Sequence, residues 1–108
     1  MSGSDANLGR CGVPCSYSGG SGATIEDAVI VMIPAGITGS VADVVGVVAE
    51  YAWLEDRYGP RDQAWKFVMQ RLLDGPEGRH YDCLTSELED RTRRDIYFDI
   101  SNFFMRKS

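Results

Sequence analysis

The sequence predicts a small α+β domain: two helices packed on a small antiparallel sheet, in the order strand, helix, helix, hairpin. Three observations predict it. Residues 79–88 (RHYDCLTSEL) and 92–104 (TRRDIYFDISNFF) alternate in character around a short polar break, which is the pattern of a β-hairpin. Two segments before them, 41–58 and 61–74, carry apolar residues at helical spacing,. Ahead of these stands a compact β-branched run, residues 28–33 (AVIVMI), which favours a strand.

Taken in order, residues 1–24 are rich in Gly and Ser and include Cys11, Pro14 and Cys15. They hold little that could build a core and read as an extended arm. A single α+β domain is expected over residues 25–108. Its first strand stops at Pro34 and Gly36, and a third strand makes a sheet more stable than a lone hairpin.

Ser40 followed by Asp43 resembles a capping box, with Asp a weaker partner than Glu. The first helix should run from about Val41 to Tyr58 and end at Gly59-Pro60. A turn of ~100° per residue places Val41, Val44, Val45, Val48, Tyr51 and Ala52 on one face, with Glu55 near its middle. The second helix fits Arg61 to Asp74, with Ala64, Trp65, Val68, Met69 and Leu72 on one face and Gly75-Pro76 as its stop,.

In the hairpin, Glu89, Asp90 and Arg91 suit a three-residue turn whose last residue is left-handed. Glycine would enter that conformation more cheaply than Arg91. This turn sets Leu84 opposite Ile96 and Glu87 opposite Arg93, a favourable cross-strand pair. A two-residue turn would shift the register by one and bring Asp82 opposite Asp99.

A chain of 108 residues suits one domain with its own core. A net charge of −5 and an isoelectric point near 4.7 argue against nucleic acid and anionic membrane as partners. Arg91, Arg93 and Arg94 are diluted by Glu87, Glu89, Asp90 and Asp95, as in a solvated hairpin tip. No signal-peptide layout opens the chain, and the apolar-rich window from 28 to 52 is broken by Pro34, several glycines and Asp43. A cytoplasmic protein with free thiols is therefore expected.

The chemistry-bearing residues are few. Glu55 on an apolar helix face is either an end residue with its head in water or a desolvated carboxylate usable as a general base. With His80 and Asp82 it makes the candidate acid/base set. On the hairpin, however, Asp82 and His80 share one strand face, and Tyr81, Tyr97 and Asp99 share the other, which weakens convergence. Asp99 more simply pairs with an arginine such as Arg79. Cys11, Cys15, His80 and Cys83 could supply four zinc ligands, but His80 and Cys83, three apart on a strand, point to opposite faces. No metal or cofactor is expected.

Trp53 and Phe67 fall outside the helical stripes, and Phe103 and Phe104 follow the last strand. Surplus apolar surface of this kind marks an interface, so a homo-oligomer is expected. Trp53, Trp65, Phe67, Tyr97, Phe103 and Phe104 are its candidate ligand or interface residues, and Trp53, Trp65, Tyr97 and Phe98 could line a helix–sheet cleft.

Residues 81–88 (YDCLTSEL), an acidic turn and 96–104 (IYFDISNFF), preceded by 50–59 (EYAWLEDRYG) and 64–66 (AWK), resemble a group of small bacterial proteins carried on integron gene cassettes. The resemblance covers residues 40–104. It implies a compact α+β fold, frequent oligomerisation and no assigned activity. The leading functional expectation is a homo-oligomeric binding or interaction module, holding a small molecule and without catalytic activity. The alternative is a small hydrolase- or isomerase-like enzyme that uses Glu55, His80 and Asp82.

Overall fold

A computed structural model describes residues 15–104. Five strands, β1 (Ser16–Gly19), β2 (Val29–Met32), β3 (Trp65–Asp74), β4 (His80–Leu88) and β5 (Arg93–Asp99), accompany one helix, α1 (Gly39–Tyr58). They form one sheet in the order β1-β2-β5-β4-β3. β2 runs parallel to β5, and the other neighbours are antiparallel. The expected pair of helices on an antiparallel sheet is thus replaced by one helix on a mixed sheet.

The error lies in residues 61–74. Pro60 to Ala64 form a turn, closed by hydrogen bonds from the Gln63 and Ala64 amides to the Pro60 carbonyl. From Trp65 the chain enters β3 and pairs with β4 along its length. The register shifts between Phe67 and Met69, so Trp65 and Phe67 share a face with Gln70 and Leu72. A bulge flips the alternation of a strand, so no unbroken period of two runs through β3, and the expected helical stripe joins Trp65 and Leu72 of one sheet face to Met69 of the other.

The β4–β5 hairpin adopts the expected register, with Leu84 opposite Ile96, Glu87 opposite Arg93 and Tyr81, not Asp82, opposite Asp99. Arg91 takes the left-handed position at φ 71°. Residues 15–24, expected as part of an arm, instead join the domain: β1 pairs with β2, and the Tyr17 hydroxyl donates to the Ala49 carbonyl of α1 at 2.6 Å.

The helix forms where the sequence places it but starts from Thr38, and no side chain caps it. The Ser40–Asp43 capping box is not made. The helix is also rotated by roughly 100° from the expected face. Ala42, Gly46, Ala49 and Ala52 are buried against the sheet, whereas Val41 and Val44 are 60% and 62% exposed. The small residues let the helix lie close to the large side chains of the sheet. At Gly46 a Cβ would come within 2.2 Å of the Phe103 ring, so any larger residue would push that ring aside.

The core under α1 is built from Trp65, Phe98, Leu84, Leu54, Val29 and Val31, all buried. The Trp65 Nε1 donates to the Gly59 carbonyl at 2.9 Å, which satisfies its one polar atom. Among the described residues no helix is long and apolar enough to cross a membrane.

Candidate functional site

The C-terminal end of β3, the start of β4, α1 and the turn after β5 meet at one corner of the domain. A cavity of about 200 Å³ opens there, lined by Val47 and Glu50 of α1, Leu72 of β3, Asp82 of β4, and Phe103 and Phe104 of the turn after β5. Asp43, Gln70 and Ile100 complete its lining. The bulge in β3 matters here, because it turns Gln70 and Leu72 toward the helix side of the sheet. Gly46 matters equally, since its bare backbone admits the Phe103 ring.

Two buried carboxyl groups, Glu50 and Asp82, join the exposed Asp43 and Gln70 in the polar part of this site. Glu50 is 1% exposed and Asp82 6%. Neither Glu50 oxygen has a hydrogen-bond partner. Two ionised carboxylates offer each other no proton, whereas a protonated Glu50 has the Asp82 oxygens as its acceptor. Burial pushes the Glu50 pKa well above its ordinary value of 4.5, and the neighbouring Asp82 carboxyl pushes it further in the same direction. Both causes disfavour the charged form.

The expected set of Glu55, His80 and Asp82 does not converge. Glu55 sits near the end of α1, where its Oε2 accepts from the Arg61 amide at 3.4 Å. His80 bonds Asp74 through Nδ1 at 3.0 Å and stacks on Phe104 with ring centroids 4.4 Å apart. It thus supports a wall of the cavity without lining it. Only Asp82 of the three reaches the site.

The expected aromatic cleft is a filled core. Trp53 meets Phe98 edge-on at 5.6 Å, and Phe67 packs on Tyr51 at 6.1 Å. Tyr97 shares the opposite sheet face with Cys83, its cross-strand partner. Trp53 and Phe67 are thus partly buried by the domain itself, and the exposed apolar residues are Val41, Val44, Val47, Met69, Leu72 and Met32. Of the six expected ligand or interface residues, Phe103 and Phe104 line the cavity.

On the face away from α1, the Arg71 guanidinium donates to the Cys83 sulfur at 3.2 Å and lies 3.5 Å from Asp95, while the Thr85 hydroxyl donates to Asp95 at 2.6 Å. Burial and Asp95 push the Cys83 thiol up more strongly than Arg71 pulls it down, so the thiol stays protonated and poorly nucleophilic. Arg79 holds Asp99 through two hydrogen bonds, the shorter 2.6 Å, as expected for a structural pair. Cys15 and Cys83 are free thiols. Cys11 lies outside the described residues, and among those described no group of three or more His, Cys, Asp or Glu side chains is placed to hold a metal ion.

Glu50 is the residue that sequence reasoning passed over. It follows Ala49 on the small-residue side of α1, and the signal for it was the series Ala42, Gly46 and Ala49. Small residues recurring at helical spacing mark close approach as surely as large ones mark burial. Comparison with protein-family models, with curated proteins and with solved structures found no match.

Proposed function

We propose that the protein is a small-molecule binding module and that the Glu50–Asp82 cavity is its ligand site. The observation that carries this reading is Glu50: a buried carboxyl beside Asp82 whose oxygens accept no hydrogen bond, lining a cavity with Val47, Leu72, Ile100, Phe103 and Phe104. Buried polar atoms are rarely left unpaired except at sites with a role. The cavity volume, about 200 Å³, is below the range that takes drug-sized molecules and suits a compact ligand. Leu72→Trp tests the assignment, because Leu72 is 53% exposed and a larger ring there fills the cavity without disturbing the core. Binding of one-ring fragments, followed by shifts in the Val47 and Phe103 methyl and ring NMR signals, should occur in the wild type and disappear in the variant. Fragments that bind both chains equally would refute the site.

A second reading is favoured by the raised Glu50 pKa. A protonated carboxyl beside a second carboxyl can act as acid and base on one bound molecule. This acid/base reading now rests on Glu50 and Asp82, without Glu55 or His80.

Self-assembly belongs to the same proposal. Val41 and Val44 are exposed apolar residues on the outward side of α1 that suit contact with a second copy of the chain, and a net charge of −5 disfavours nucleic acid and an anionic membrane. The free thiols of Cys15 and Cys83 support a cytoplasmic location. The likeness to integron cassette proteins implies frequent oligomerisation as well.

A further inference from the structure

We infer that the ligand of this cavity is a small organic cation, an amine carried on an apolar body and gripped by the Glu50 and Asp82 carboxyl groups. The inference rests on the ligand-binding reading above and names the class of ligand.

Charge comes first. The ionisable side chains lining the cavity are Asp43, Glu50 and Asp82, all acidic, with no lysine, arginine or histidine among them. An anion would meet three carboxyl groups and no counter-charge. The second observation is the pair of unpartnered Glu50 oxygens. What they lack is a donor, and an ammonium group supplies up to three N–H donors on a single positive charge.

The walls narrow the choice of cation. Val47, Leu72, Ile100, Phe103 and Phe104 present carbon to the ligand, and aromatic faces attract organic cations. A hydrated divalent ion needs about six oxygen ligands and gains nothing from such walls. Size agrees as well. A cavity of ~150 Å³ holds benzene, so about 200 Å³ accepts one ring with a one-carbon ammonium arm.

Binding carries a proton balance. Burial and Asp82 keep the Glu50 proton on, and an ammonium group beside it opposes both effects. Any proton that burial and Asp82 hold on Glu50 passes to the buffer as the cation enters, and an ammonium–carboxylate pair remains. The titratable groups facing Glu50 are Asp82 from β4 and Asp43 at the mouth from α1 itself. β3 contributes the neutral Gln70 and Leu72, and the turn after β5 contributes Ile100, Phe103 and Phe104. The His80 imidazole is engaged with Asp74 and Phe104.

Titration calorimetry of the whole chain with benzylamine, benzyl alcohol and benzoate at neutral pH tests the inference. Benzylamine should bind at least about tenfold more tightly than benzyl alcohol, and benzoate should not bind. The benzylamine enthalpy should vary with the ionisation enthalpy of the buffer, as proton release requires. Glu50→Gln should cut the preference for the amine over benzyl alcohol by at least about tenfold. If that variant does not fold, Asp82→Asn should weaken the preference for the amine in its place. Equal affinity for benzylamine and benzyl alcohol would overturn the cation and leave the ligand site standing. Failure of all three probes, and of one-ring fragments generally, would overturn both.

Discussion

Glu50 of α1 and Asp82 of β4 place two carboxyl groups side by side in a wall of the domain where almost no water reaches either. Glu50 is 1% exposed and Asp82 6%. A chain gains no stability from such a pair, because desolvation of two acids exceeds anything they return to each other. The arrangement is a cost to the fold, held in place by the small-residue face of α1 and by the bulge in β3. Buried carboxyls of this kind cluster at sites that bind or transform a ligand.

The Glu50 proton links stability to pH. Its pKa in the folded chain lies above the ordinary 4.5, so between those two values the folded chain holds a proton that the unfolded chain has released. Stability from this group is therefore full below about 4.5, falls as pH rises through the window, and is level above it. Glu50→Gln removes the effect. Urea denaturation across a pH series should show the variant gaining on the wild type as pH rises, by about 1.4 kcal/mol for each unit of separation.

Ser86 is buried at 0% exposure with its hydroxyl unbonded. Replacing a buried unpaired polar group by an apolar one of similar shape is neutral or favourable. Ser86→Ala should leave the chain as stable as wild type or more so, by up to about 1 kcal/mol, in thermal or urea unfolding. A clear loss of stability would show that the hydroxyl has a partner.

Gly46→Ala sets two known effects against each other. Alanine gains about 1 kcal/mol of helix propensity, but its Cβ would stand 2.2 Å from the Phe103 ring. Overpacking of this kind costs about 1–3 kcal/mol, so the variant should be less stable than wild type by denaturant unfolding. Because Phe103 lines the cavity, fragment binding should weaken as well.

The outward valines give a test of assembly. Val41→Lys with Val44→Lys should change the stability of an isolated chain by no more than ~0.5 kcal/mol per site, since both side chains are mostly exposed. Light scattering should show a multimer in the wild type and a monomer in the double variant. A wild-type monomer would remove the homo-oligomer from the account.

Much of the backbone was legible in the sequence. The β2 run, the limits of α1 and the hairpin register all followed from β-branched content, Gly-Pro stops and cross-strand charge pairing. What misled was periodicity. The bulge at residues 67–69 breaks the two-residue alternation of β3, which hid the strand, and the helical stripe read there draws on both sheet faces. In α1 the valines drew the expected face, yet it is Ala42, Gly46 and Ala49 that approach the sheet. That rotation hid the site, since it buries Glu50 and sends Glu55 to the helix end. Asp82, Phe103 and Phe104 were already recognisable as residues of interest, but their convergence depends on a helix orientation that side-chain size alone did not reveal.

The most direct test of the account is a carbon-13 NMR titration of the Glu50 side-chain carboxyl, in the wild type and in Asp82→Asn. In the wild type Glu50 should titrate well above the ordinary 4.5. In Asp82→Asn it should move part of the way down, because burial, the larger cause, persists. A wild-type Glu50 that titrates at about its ordinary value would mean that water reaches the carboxyl, and the Glu50–Asp82 pair would lose its claim to be a functional site.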